Sequence, residues 1–177
     1  MTDLSMKYKE RIHKKLLELE RKVKGSYITV ALLGAGEAKI NERRKIQQKL
    51  EKDGIVTLIP EDDFPEFAPS LFEEAILEKA DIDLVFINVE SWGTVAEFAH
   101  FYDKGNIAPK LRVLVHYYYH PLYGTSKSYL TDLYLTYLAK YGHVYAYSNR
   151  RGMFPTPKKI IATLARRYRE LKFLGKI

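Results

Sequence analysis

The chain has 177 residues, 46% of them hydrophobic and 29% charged, with no cysteine and a formal net charge of +7. That length and balance suit one globular domain with a sizeable core, and the missing cysteines exclude disulfides, thiolate nucleophiles and Cys-based zinc sites. The longest apolar runs, such as 84–87, are too short to cross a bilayer, and the N-terminus lacks the apolar segment of a signal peptide, so the expectation is a cytoplasmic protein with no membrane partner.

In chain order, Leu4, Tyr8, Ile12, Leu16, Leu19 and Val23 recur at three- and four-residue spacing, which predicts an amphipathic helix over 4–24, ended by Gly25. This helix either packs back on the sheet or pairs with a second copy of the chain in a homo-oligomer. A strand over 27–33 then enters Gly34-Ala35-Gly36, followed by a charged helix from about Asn41 to Lys52. A turn at Asp53-Gly54 leads to a second strand, 55–60, an acidic loop from Pro60 to Pro69, and a helix capped by Ser70 and running to Lys79. The run 82–89 is unbroken in its centre, as a strand buried on both faces should be, and a helix begins within 91–101. A fourth strand over 111–119, a helix from Ser126 or Ser128 to Tyr141-Gly142, a fifth strand over 143–148 and a helix opened by Pro157 complete the chain. Ile160, Ile161, Leu164, Ala165, Tyr168 and Leu171 form the inward face of that last helix.

Strands alternating with helices imply parallel strands joined by right-handed crossovers. The expected fold is a three-layer α/β/α sandwich on a five-stranded, doubly wound parallel sheet of the flavodoxin or Rossmann kind. Residues 1–25 form an added helix and 26–177 a single α/β domain. Ligands in such sheets bind beyond the carboxyl ends of the strands, where the strand order switches. Gly34 to Glu37, the acidic loop, Ser91 to Thr94 and the His116–His120 stretch should meet there.

The basic residues are concentrated at the ends: residues 1–24 carry eight Lys/Arg against four acids, and 150–177 carry nine against one. A basic balance invites a nucleic-acid reading. These residues lie on terminal helices, where Lys and Arg form the solvated face, and the expectation is against a nucleic-acid partner. Gly34 and Gly36 after a strand suit close approach of a phosphate, but a dinucleotide fingerprint needs a third glycine where Lys39 stands. Glu61, Asp62 and Asp63 follow the second strand, where a ribose-binding acid would sit. A tight turn accounts for the glycines equally well. His116 and His120, four apart on a strand and its end, make no compact metal pair, so no metal is expected.

Glu97 is the odd residue. It stands in Val95-Ala96-Glu97-Phe98-Ala99, three residues after Thr94. Thr94 with Glu97 matches a capping box, which would satisfy free amides of a helix start. The other reading is chemical: Glu97 and the acids Glu73 and Glu74, early in the preceding helix, could face one cleft. Two carboxylates across a cleft are what glycosidic-bond chemistry requires. The tyrosines of 117–147 divide similarly. Tyr134 and Tyr137 read as packing beside Leu130, Leu133 and Leu138, whereas Tyr119 and Tyr123 are open to stacking on a nucleobase.

The stretch 73–99, in which Glu73 precedes an Ala-Asp pair, a hydrophobic strand and Ser91-x-Gly93-x-x-x-Glu97, resembles the core signature of the nucleoside 2-deoxyribosyltransferase superfamily. That group includes the 2′-deoxynucleoside 5′-monophosphate N-glycosidases. More distantly, Gly93-Thr94-x-x-Glu97 is similar to the cytokinin-activating phosphoribohydrolases, whose preceding double glycine this chain lacks. The resemblance implies Glu97 as a nucleophile forming a glycosyl ester and Glu73 as the acid that engages the leaving base. It implies Ser91, Gly93 and Thr94 around a 5′-hydroxyl or phosphate, Gly34 lining the sugar pocket and Asn88 near the sugar. Gly36, from the strand-to-helix turn, and Tyr119, from its place after the fourth strand, join them as candidate substrate contacts. The implied partner is a small nucleoside or nucleotide, and no cofactor is called for. Asn88 stands where the family has a carboxylate and Glu73 where it has Asp, and the family's N-terminal tyrosine has no counterpart. An alternative keeps the same cleft but makes it a sensor that holds a nucleotide or ADP-ribose-like ligand without cleaving it.

Overall fold

The computed structural model describes residues 3–64, 69–79, 81–150 and 152–177. Five parallel strands, β1 (Thr29–Leu33), β2 (Val56–Leu58), β3 (Leu84–Val89), β4 (Leu111–His116) and β5 (Val144–Tyr147), lie in the order β2-β1-β3-β4-β5. Their alternating side chains sort into two cores. Val30, Leu32, Leu84, Phe86 and Leu114 meet α2 (Gly36–Lys52) and α7 (Pro157–Phe173) on one face. Ala31, Leu33, Val85, Ile87, Val113 and Val115 meet α4 (Pro69–Lys79), α5 (Trp92–Phe101) and α6 (Tyr129–Tyr141) on the other. This is a three-layer α/β sandwich with a doubly wound sheet. The chain leaves β1 toward β2 and β3 toward β4, so the switch point lies between the carboxyl ends of β1 and β3.

Tyr134 and Tyr137 are core residues, as their helical spacing suggested, each about 1% exposed. The Phe98 ring lies 5.1 Å from Tyr134 and 5.7 Å from Tyr137, the second pair edge-on. The Tyr137 hydroxyl sits 2.8 Å from the Ala108 carbonyl and 2.9 Å from that of Leu111, donating to one at a time. This ring cluster seats α5, and with it Glu97, on the sheet. Truncating Phe98 to alanine would cost about 3–5 kcal/mol.

Several sequence expectations need correcting. The second helix begins at Gly36 rather than near Asn41, and β2 is three residues long, not six. The acidic stretch is not all loop: Pro60–Asp63 forms a short helix, α3, with proline at its start and the Asp63 carboxylate accepting from the Ile59 amide at 2.7 Å. Residues 65–68 of that stretch lie outside the described residues. The next helix starts at Pro69, one residue before the expected cap Ser70, whose side chain is not among those described. The fourth strand stops at His116, and Tyr117–Tyr119 forms a 3₁₀ turn. Ser128 is the N-cap of α6, accepting from the Thr131 amide, and Gly142 ends it in the left-handed region at φ 75°. On α7, Ala162 and Arg169 are buried as well, alongside half-buried Leu164, Tyr168 and Leu171.

The N-terminal helix, α1 (Asp3–Gly25), meets α7 only near its own C-terminal end: Leu19 and Val23 border a crevice of about 520 Å³ shared with Arg166, Arg169 and Leu174. Residues 6–22 are all exposed. The Leu4 side chain lies outside the described residues. No helix of the described residues is long and apolar enough to cross a membrane.

Candidate active site

At the switch point the chain leaves β3 through Glu90 and enters α5 through a cap built from Ser91 and Thr94. The Ser91 hydroxyl accepts from the Thr94 amide at 3.3 Å, and the Thr94 hydroxyl accepts from the amides of Ser91 and Glu90 at 3.0 and 3.1 Å. The Thr94 hydroxyl also lies 2.9 Å from the Ser91 carbonyl, to which it donates. The expected box of Thr94 with Glu97 is therefore displaced by three residues. Serine takes the cap, where it is favoured, and Thr94 does the work assigned to Glu97. Thr94 is buried, with its hydroxyl committed to this box.

Glu97 is thus free of capping duty. It sits one turn further on, on the flank of α5 between buried Thr94 and Phe101, and its Oε2 is buried without a hydrogen-bond partner. Burial is the main cause that pushes its carboxyl up to about 8, with repulsion from Glu73 and then Glu61 adding to it and Arg43 opposing. Glu73, from the first half of α4, is pushed up to about 7, again by burial first and by Glu61 second. Two acids from different helices are thus held poorly hydrated, and the charge of Glu73 acts on Glu97 through space. Glu74 does not join them. It turns to the surface, where it accepts from Lys104 and lies 2.7 Å from the His100 ring, and these partners hold its carboxyl below the usual range.

Arg43 escaped the sequence reading. It is 7% exposed, and its guanidinium grips Glu61 with both terminal nitrogens at 2.7 and 2.5 Å, while also donating to the carbonyls of Leu32, Ala35 and Gly36 at 3.3–3.4 Å. This explains Gly34: a Cβ there would lie 3.0 Å from the Arg43 side chain. The glycine makes room for an arginine of its own chain. Through space that arginine opposes the upward shift of both Glu73 and Glu97. A Cβ on Gly36, by contrast, would meet nothing within 4 Å.

The other expected residues are distributed as follows. Asn88 points to the α2/α7 side and, with Gly34, Arg43 and Glu90, lines a cavity of about 30 Å³, room for one or two waters rather than a sugar. Its amide donates to Glu90 at 3.0 Å, and its Oδ1 is buried without a partner. Gly93 is exposed in the first turn of α5 next to Trp92, the chain's single tryptophan, which is 89% exposed. Tyr119 is half exposed on the 3₁₀ turn and packs edge-on against Tyr118. Tyr123 lies on the His120 ring at 4.7 Å, and His120 is buried and fixed by the Val144 carbonyl and the Leu122 amide, so both serve that turn's own packing.

Glu61, Asp62 and Asp63 are all engaged, with Arg43, Arg44 and the Ile59 amide, which among the described residues leaves a dinucleotide ribose no free acid just after β2. Among the described residues no three His, Asp or Glu gather as a metal would need. A larger cleft of about 790 Å³ lies by Tyr145, Phe154 and the start of α7, past β5 at the sheet edge and apart from the carboxylates. Compared with known proteins, the chain matches no protein-family model and no curated protein.

Proposed function

We propose that the chain breaks or transfers the N-glycosidic bond of a nucleoside or nucleoside 5′-monophosphate through Glu97. The carrying observation is that Glu97, released from the cap by Ser91 and Thr94, is held half-buried with one oxygen unpartnered beside a second raised acid at the sheet's switch point. Its carboxylate attacks the anomeric carbon. The carbon–nitrogen bond breaks, its electron pair leaves with the base, and the Glu73 proton passes to that base. Water or a second base then attacks the same carbon, gives its proton to the Glu73 carboxylate and releases Glu97 as carboxylate.

Both carboxyls hold their protons more tightly than an ordinary glutamate does. The positive charge that develops on the sugar favours the carboxylate form of the group facing it, Glu97. Trp92 and Gly93 occupy the first turn of α5, where amides lack helical acceptors. With the Ser91 and Thr94 hydroxyls used internally, those amides are what the helix offers to a 5′-hydroxyl or phosphate.

A second reading rests on Asn88, an amide bonded to Glu90 where the resembling family has a carboxylate. In that reading the cleft holds a nucleotide or ADP-ribose-like ligand intact. One experiment separates the two. Deoxynucleosides and their 5′-monophosphates are incubated with the protein, free base is followed by chromatography, and binding is followed by Trp92 fluorescence. Release of base that falls roughly 10³-fold or more in Glu97→Gln, with fluorescence quenching retained, supports the glycosidase. Quenching without release selects the sensor, and full turnover in the variant removes Glu97 as nucleophile.

A further inference from the structure

We propose that α1 pairs in parallel with α1 of a second copy, making the protein a dimer through a short two-stranded coiled coil. The apolar residues on one side of this helix are Leu4, Tyr8, Ile12, Leu16, Leu19 and Val23. At 100° per residue they fall within a band of roughly 120°, which contains the seam of a coiled coil, while Met6 and Leu17 stand on the opposite side. Ile12, Leu16 and Leu19 are 56, 51 and 41% exposed, so this chain leaves most of the seam uncovered, with Val23 half-buried where α1 meets α7. Helices in proteins take most of their stability from packing an amphipathic face.

The charges beside the seam select the partner and its direction. Ser5, Ile12 and Leu19 take position d of a heptad, and Lys9, Leu16 and Val23 take position a. Position g then holds Tyr8, Lys15 and Lys22, and position e holds Met6, His13 and Glu20. In a parallel pair, g of one helix faces e of the next heptad on its partner, so Lys15 meets Glu20 of the other copy twice. An antiparallel pair would set the basic g positions against each other. Lys9 at position a, where a single lysine specifies register and oligomer state, fits two strands, because its ammonium reaches water at a dimer seam. The crevice of about 520 Å³ bordered by Leu19, Val23 and Leu174 lies at the C-terminal end of this seam, where α1 meets α7.

The test is the mass of the full chain by light scattering as concentration rises, expected to approach twice 20.6 kDa. Ile12→Glu and Leu16→Glu should each hold it at one chain with α-helical circular dichroism of the core retained. Lys15→Glu or Glu20→Lys alone should weaken the dimer roughly five- to tenfold. Mixing the two variants should restore it, since each mixed pair is again opposite in sign. With no native cysteine, Ser5→Cys should cross-link to its own copy on mild oxidation in a parallel pair only. A chain that stays monomeric at high micromolar concentration overturns the proposal. So does a dimer or larger assembly indifferent to Ile12 and Leu16, the absence of a Ser5→Cys cross-link, or a monomer that binds anionic vesicles through α1.

Discussion

Glu97 and Glu73 set the chemistry at the residue scale. Their carboxyls are pushed up to about 8 and about 7, mainly because burial disfavours the charged forms and secondly because nearby acids repel them. A reaction that needs one carboxylate and one proton on the pair should show a bell-shaped kcat/KM, rising through about 7 and falling through about 8. Glu73→Gln removes the like charge that, after burial, does most to raise Glu97. The falling limb should then disappear, because no proton donor is left to titrate, and the remaining rise should lie below about 8, with a smaller kcat. A falling limb that persists in the variant's pH–rate profile would show that Glu73 is not the donor. Part of this was legible in the sequence: a carboxylate in an apolar run needs a reason. The cap was misplaced because Ser91-x-x-Thr94 and Thr94-x-x-Glu97 both satisfy the spacing, and only the backbone at Ser91, extended at φ −144°, decides between them. Arg43 was illegible, because nothing near it in sequence reveals that its side chain crosses Gly34 to reach Glu61.

At the scale of elements, the end of β4 shows what local pattern can and cannot do. Val115-His116-Tyr117-Tyr118-Tyr119 has the composition of a strand. The ladder runs out first: Val115 pairs with Val89, His116 with Tyr147, and both neighbours end there. Without partners, Tyr117–Tyr119 tightens into a 3₁₀ turn, with the His116 ring nitrogen accepting from the Tyr118 amide. The chain then doubles back so tightly that a Cβ on Gly124 would lie 2.0 Å from the Tyr118 carbonyl oxygen and 2.8 Å from that of His120. Both atoms are backbone and cannot step aside. Gly124→Ala should therefore cost about 2 kcal/mol or more and lower Tm by roughly 4–8 °C. Gly105→Ala, where a Cβ would meet nothing within 4 Å, should change Tm little and serves as the control in calorimetry. The helix ends were easier to read, because Ser128, Gly142 and Pro157 each act through their own backbone preference.

For the whole molecule, the layered architecture was the most legible feature, since alternating strands and helices with buried apolar centres leave few topologies open. The same architecture carries a cost that pH exposes. Glu97 and Glu73 ionise near 4.5 in the unfolded chain but near 8 and 7 in the folded one. Between those values the folded state binds more protons than the unfolded state, so stability falls as pH rises. Their stabilising contribution is fully present below about 4.5 and is lost by about 8. Glu97→Gln keeps the shape of the side chain and removes the ionisation. The variant should therefore match the native protein in Tm at pH 5 and exceed it at pH 8, by roughly 3–6 °C if about half of the apparent shift survives relaxation. The carboxylates held low by surface cations, such as Glu74 and Asp62, act in the opposite sense, but both proteins carry them, so they drop out of the comparison. Thermal melts of both proteins at the two pH values decide the matter. Parallel curves would mean that Glu97 is hydrated in solution, and the burial that makes it a candidate nucleophile would go with them.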